Sequence, residues 1–170
     1  MRLLFLILCA VNIAVAVTAI WLMPDPMVTH YGADGQPDET MSPTRYAALM
    51  SGTFVAVVVF FLMPWIAHYL PSWMWNIPNR DYWLSRENRP RAIRITRSIL
   101  DRLGVVLMLF FLLVQWKIFQ ANRADIPRQH PAIFWSGLAV LGVALVMAQA
   151  RTTPAFRLPE KTERDPRPEN

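Results

Sequence analysis

Four long runs without acidic residues constrain this chain more than anything else in it. Leu3–Met23 has 21 residues and no charge, and Ala47–Tyr69 has 23 with only His68 able to carry one. Leu103–Phe119 has 17, with Lys117 near its end, and Ala132–Ala150 has 19 uncharged residues. At about 1.5 Å rise per residue these reach roughly 25 to 35 Å, against a bilayer core of about 30 Å. Hydrocarbon offers no hydrogen-bond partner to a backbone, so each run is expected to be a helix. Spans over 3–23, 47–69, 103–119 and 132–150 would occupy about half of the 170 residues. The charged fraction of 17% agrees, being well below that of an ordinary soluble domain. The lone Cys9 allows no intrachain disulfide and no cysteine metal cluster. A cleaved leader ending near Ala14-Val15-Ala16 is the rival reading of the first run. That run continues to Met23, too long for a leader's apolar core.

Basic residues set the expected orientation. Thirteen Lys and Arg fall on one side: Arg2, seven arginines between Arg80 and Arg102, and five after Ala150. Arg45, Lys117, Arg123 and Arg128 fall on the other. The richer side should be cytoplasmic, with both termini inside. The isoelectric point near 10.0 then reflects topology and anionic lipid headgroups at the cytoplasmic face. No base-reading motif accompanies the charge, so no nucleic-acid partner is expected. The seven tryptophans suit interfacial belts: Trp21, Trp116 and Trp135 outside, Trp65, Trp73, Trp75 and Trp83 inside.

Small residues at four-residue spacing mark expected helix contacts: Ala10, Ala14 and Thr18, then Ala48, Gly52 and Ala56, then Ala144 and Ala148. Their use within the chain, or between two copies, both fit. Asn12, deep in the first span, suits an interhelical hydrogen bond. Pro64 should kink or end the second helix.

The first loop, from Pro24 to Ser42, should be a short hairpin-like cap outside the membrane. Val28, Thr29, His30 and Tyr31 favour an extended strand, and Gly32, Asp34-Gly35 and Pro37-Asp38 are turn chemistry. Ser42 can cap the next helix and Pro43 suits its first turn. His30 with Asp34, Asp38 and Glu39 invites a metal, but the spacing fits no strong ligand template, so no metal and no cofactor is expected. The inner loop carries Asn76-Ile77-Pro78-Asn79-Arg80-Asp81-Tyr82-Trp83-Leu84, with Tyr82 and Trp83 expected in the headgroup layer. Past Pro90, Ala92, Ile95, Ile99 and Leu103 share one face and Arg91, Arg94 and Arg97 lie off it. An interfacial helix running into the third span should result. The tail, 151–170, is basic and rich in Pro and should be disordered and cytoplasmic.

No phosphate-binding glycine loop, dinucleotide pattern, HExxH, GxSxG or CxxC occurs. No catalytic residue is assigned, and an enzyme is not expected. The expected architecture is an all-α membrane protein, an up-down four-helix transmembrane bundle over 1–150 with an extracytoplasmic hairpin-like cap.

Pro24-Asp25, Val28, Thr29-His30, Gly35, Pro37-Asp38 and Ser42 resemble the membrane domain of unknown function numbered 1648. That domain is also found at the start of SdpI-type immunity proteins. The inner Asn76, Pro78, Asn79, Arg80, Asp81, Tyr82 and Trp83 are similar to a stretch in four-span relatives of it. The resemblance spans roughly residues 3–119. It implies a multi-pass protein of the bacterial cell (inner) membrane, with a toxin-immunity or envelope-signalling role. The implied partners are an extracytoplasmic peptide or a cytoplasmic regulator. The implied motif residues are Pro24, Asp25, His30, Gly35, Pro37 and Asp38, with no chemistry attached. The alternative is a small transporter or channel subunit with a hydrated path near Asn12 and Gln115.

Overall fold

Pro24 stops the first long helix and Pro43 starts the second, and both boundaries are met in the computed structural model. It describes residues 1–32, 34–62, 69–124 and 131–158, with the backbone alone for 131–134, 148–149 and 152–153. Helix α1 is Arg2–Leu22, followed by strands β1, Met27–Tyr31, and β2, Pro37–Met41. Helix α2 is Pro43–Leu62. A 3-10 turn at Ser72–Met74 and a one-turn helix α3, Arg80–Trp83, lead to α4, Arg89–Asn122, and α5, Pro131–Ala155. The Arg45 amide donates to Ser42 Oγ at 3.3 Å, so Ser42 caps α2. Pro64 and Trp65, and the loop holding Arg128, lie outside the described residues.

Three of these helices, α1, α2 and α4, are long and apolar enough to cross a membrane, and α5 contains a shorter apolar stretch, Trp135–Met147. Their outward faces are apolar too. Leu3, Val59, Phe60, Val140 and Val146 are all more than half exposed. Water would penalise such a surface; hydrocarbon does not. The chain is therefore an integral, multi-pass membrane protein built mostly of helix.

Helix α1 is the centre of the packing and touches both α2 and α4, while α5 leans on α4. Its buried face is Phe5, Cys9, Asn12, Ala16 and Ala19. Ala10 and Ala14, expected at a helix contact, are exposed, as are Ala48, Gly52 and Ala56 on α2. Aromatic insertion decides the interface instead. Phe5 meets Phe61 with ring centroids 5.1 Å apart, and Phe54 meets Phe111 edge-on at 5.3 Å. Gly104 of α4 gives the Phe5 ring its room: a Cβ there would sit 2.7 Å from Phe5 and 3.1 Å from Phe61. We expect Gly104→Val to cost about 1–3 kcal/mol of stability. Gly52→Val, where a Cβ would meet nothing within 4 Å, should be near neutral. Thermal melting of both variants in detergent checks the contrast.

Helix α4 has 34 residues, about 50 Å of helix, which exceeds a bilayer core. The amphipathic basic segment and the third span are thus one continuous rod. Helix α5 runs past the boundary drawn at Ala150 to Ala155, and Phe156 behind it is 1% exposed. The start of the tail is therefore ordered, not disordered; residues 159–170 lie outside the described set.

Candidate functional site

Strands β1 and β2 pair antiparallel, Met27 opposite Met41 and Val28 opposite Thr40. The turn between them uses the residues the sequence supplies for it. Gly35 has φ 78°, the Gln36 amide donates to Asp34 Oδ1 at 3.1 Å, and the Gly32 amide donates to Gln36 O at 2.8 Å. One strand is anchored and the other is open. Met27 and Val28 are buried, whereas Pro37 to Thr40 are exposed.

The anchor is Asn122, at the last turn of α4. Its Nδ2 donates to Val28 O and its Oδ1 accepts from the Val28 amide, both at 2.7 Å. A second Nδ2 bond reaches Ile118 O at 2.9 Å. One buried amide side chain thus stands in for a neighbouring strand. On the open side His30 Nδ1 lies 3.0 Å from Asp38 Oδ2, and both side chains are 61% exposed. Pro24 and Asp25 are exposed at the turn out of α1, and Pro37 opens β2. Asp34 is taken up by the turn. Among the described residues no group of three or more His, Cys, Asp or Glu is close enough to share a metal. Burial pushes the Tyr31 phenol above its ordinary value.

A polar cluster joins three helices between the ends. Gln115 Nε2 donates to Asn12 Oδ1 at 2.8 Å, and Asn12 Nδ2 donates to Leu8 O at 2.8 Å and Met108 O at 3.1 Å. Tyr46 Oη donates to Gln115 Oε1 at 3.5 Å. All three side chains are buried. The two amides face one another. The cluster acts as an interhelical lock, and in lipid such bonds are worth about 0.5–2 kcal/mol. Asn12→Leu and Gln115→Leu should each destabilise, because each orphans its partner's amide. The double variant should recover most of the loss. A double-mutant cycle of detergent melting reads that coupling directly.

The inner-loop motif forms a knot at the opposite end. Asn79 adopts the left-handed conformation at φ 52°, which Asn tolerates well, and turns the chain into α3. Its Nδ2 and the Trp83 Nε1 both donate to Phe156 O, at 3.0 and 2.8 Å. The Trp83 ring meets Phe156 edge-on at 5.4 Å, and the Arg91 guanidinium sits 5.5 Å from its centroid. Trp83 is 2% exposed, and Trp75 is buried against Ile93. The expectation that Trp83 lies in the headgroup layer is thereby corrected, because its indole has a better partner inside the protein. Asn88 Nδ2 ties the loop back to Tyr82 O at 3.2 Å. Arg80 and Asp81 form only a loose exposed pair at 3.8 Å, and Asn76 and Pro78 are exposed.

The motifs thus resolve into one anchored hairpin and one aromatic knot. Asn122, Tyr46 and Phe156 were not singled out by the sequence. Gln115, Ile118 and Asn122 do fall on one helical face, three and four residues apart, and that spacing was the available signal. Phe156 offered none, since a single aromatic in a charged tail looks unpartnered. No curated protein and no solved structure matches the chain. A family model described as "Domain of unknown function (DUF1648)" matches residues 7–67, which run from α1 through the hairpin and α2. The inner-loop motif lies beyond that match. Residues 7–67 are thus similar to the DUF1648 family, and the likeness covers that part of the chain.

Proposed function

We propose that the chain is a non-enzymatic recognition protein of the bacterial cell membrane, with four spans running up and down. Both termini and the aromatic knot face the cytoplasm, and the hairpin faces outward. The distribution of Lys and Arg supports this orientation. One observation carries the recognition role: an exposed acidic strand held on a rigid platform. The segment from Pro24 to Ser42 holds Asp25, Asp34, Asp38 and Glu39 and no Lys or Arg. Strand β2 is exposed from Pro37 to Thr40, while β1 is pinned by Asn122. Such an edge suits an extended cationic peptide, which would add as a third strand and meet the carboxylates. That fits a toxin-immunity or envelope-signalling role of the SdpI type, with the basic loop meeting anionic lipid or a cytoplasmic regulator.

The test uses a deletion strain challenged with spent medium from its own parent. The expected result is sensitivity that is rescued by the wild-type chain but not by His30→Ala or Asp38→Asn. The pair is exposed and adds little to stability, so all three proteins should reach the membrane equally. Full rescue by both variants would remove the hairpin pair from the mechanism. A deletion strain with no sensitivity would overturn the immunity role.

A further inference from the structure

A cleft between α4 and α5 sets two cations beside an apolar wall. Its walls are Ile99, Leu103 and Val106 of α4 with Ala144 and Met147 of α5, and Arg102 and Arg151 complete the lining. It encloses about 170 Å³. Arg102 immediately precedes the apolar run from Leu103 to Phe119, and Arg151 immediately follows the run ending at Ala150. The two guanidiniums therefore stand where the apolar part of each helix ends, with the hydrocarbon-facing cleft behind them. Neither makes a salt bridge or hydrogen bond among the described residues, and Asp101, next to Arg102 in the chain, is not paired with it. Two unpaired cations above an apolar slot need an anion joined to an apolar chain.

We propose that this cleft binds one anionic phospholipid, its phosphate between Arg102 and Arg151 and an acyl chain against Leu103, Val106, Ala144 and Met147. Arginine holds a phosphate with paired N–H donors, and basic pockets between membrane helices select anionic headgroups. A zwitterionic lipid would bring its own cation to the same mouth. The site rests on the reading that α4 and α5 span the bilayer, on whichever side the arginines lie.

The test is native mass spectrometry of the full chain in detergent with phosphatidylglycerol, phosphatidylcholine of the same acyl chains, or inorganic phosphate. We expect one retained phosphatidylglycerol, with weaker retention of phosphatidylcholine. Arg102→Gln with Arg151→Gln should weaken phosphatidylglycerol binding about tenfold or more. Ala144→Phe, which fills the slot and keeps both charges, should weaken it as well. Arg86→Gln with Arg94→Gln removes the same charge elsewhere and should leave retention unchanged. Equal loss in that control would reduce the effect to diffuse attraction and overturn the site. So would wild-type retention in the Arg102/Arg151 variant, or retention of inorganic phosphate alone. A polypeptide soluble without detergent would instead overturn the spanning reading beneath it.

Discussion

Trp83→Ala should undo the basic end of the molecule at a cost of about 3–5 kcal/mol, the range for deleting a large buried aromatic. The indole contributes three separate interactions there. It fills the space between Phe156 and Ala92, it donates to Phe156 O, and its face receives Arg91. Only the hydrogen bond has a substitute, since Asn79 Nδ2 reaches the same carbonyl. Trp83→Phe keeps most of the packing and should cost about 1 kcal/mol for the lost bond. Hydrogen exchange locates the damage. Protection should fall in α3 and the last turn of α5, because Trp83 is what fastens one to the other. The contact between α1 and α2 should keep its protection. Unchanged exchange at residues 150–158 would place the end of α5 under some other restraint.

The second large effect is expected at the far end. Asn122→Ala removes both bonds to Val28 at once and orphans a buried N–H and a buried C=O. Each unsatisfied group costs about 1–3 kcal/mol. Strand β1 has no other polar tie from α4 of this kind, so the hairpin should detach while the helices stay packed. Exchange of the Val28 amide is the readout: protected in the wild-type chain, fast in the variant. The same variant should weaken any function that needs the hairpin presented rigidly, even though Asn122 faces away from the exposed strand. Retained protection of Val28 would show that the pairing with Thr40 holds the strand alone.

Fold and site were legible to different depths. The helices followed from one physical fact, that an uncharged run of about 20 residues has no better solvent than lipid. The hairpin followed from Asp34-Gly35 and Pro37, whose backbone preferences leave few alternatives. Asn12 was legible because a lone amide deep in a span must find a partner, although the sequence could not say that the partner was Gln115. The helix faces were misjudged. Ala10, Ala14 and the Ala48 stripe look like contact residues by spacing, yet close approach came from glycines that receive an aromatic from another helix, Gly104 taking Phe5 and Gly137 taking Phe110. Spacing along one helix carries no information about the shape of its neighbour. Trp83 and Phe156 lie 73 residues apart, and their pairing depends on where α5 ends, so composition alone placed Trp83 at the lipid surface.

The central claim is that hydrocarbon separates the acidic hairpin from the basic loop. Cysteine labelling in intact cells tests it most directly. Cys9, the chain's only cysteine, is buried in α1 and can be replaced by Ala to give a silent background. Thr40→Cys on β2 and Glu87→Cys before α4 then place single thiols at exposed positions on the two sides. With a membrane-impermeant maleimide, the thiol at position 40 should label in intact cells and the one at position 87 only after permeabilisation. Equal labelling of both in intact cells, or the reverse order, would contradict the account.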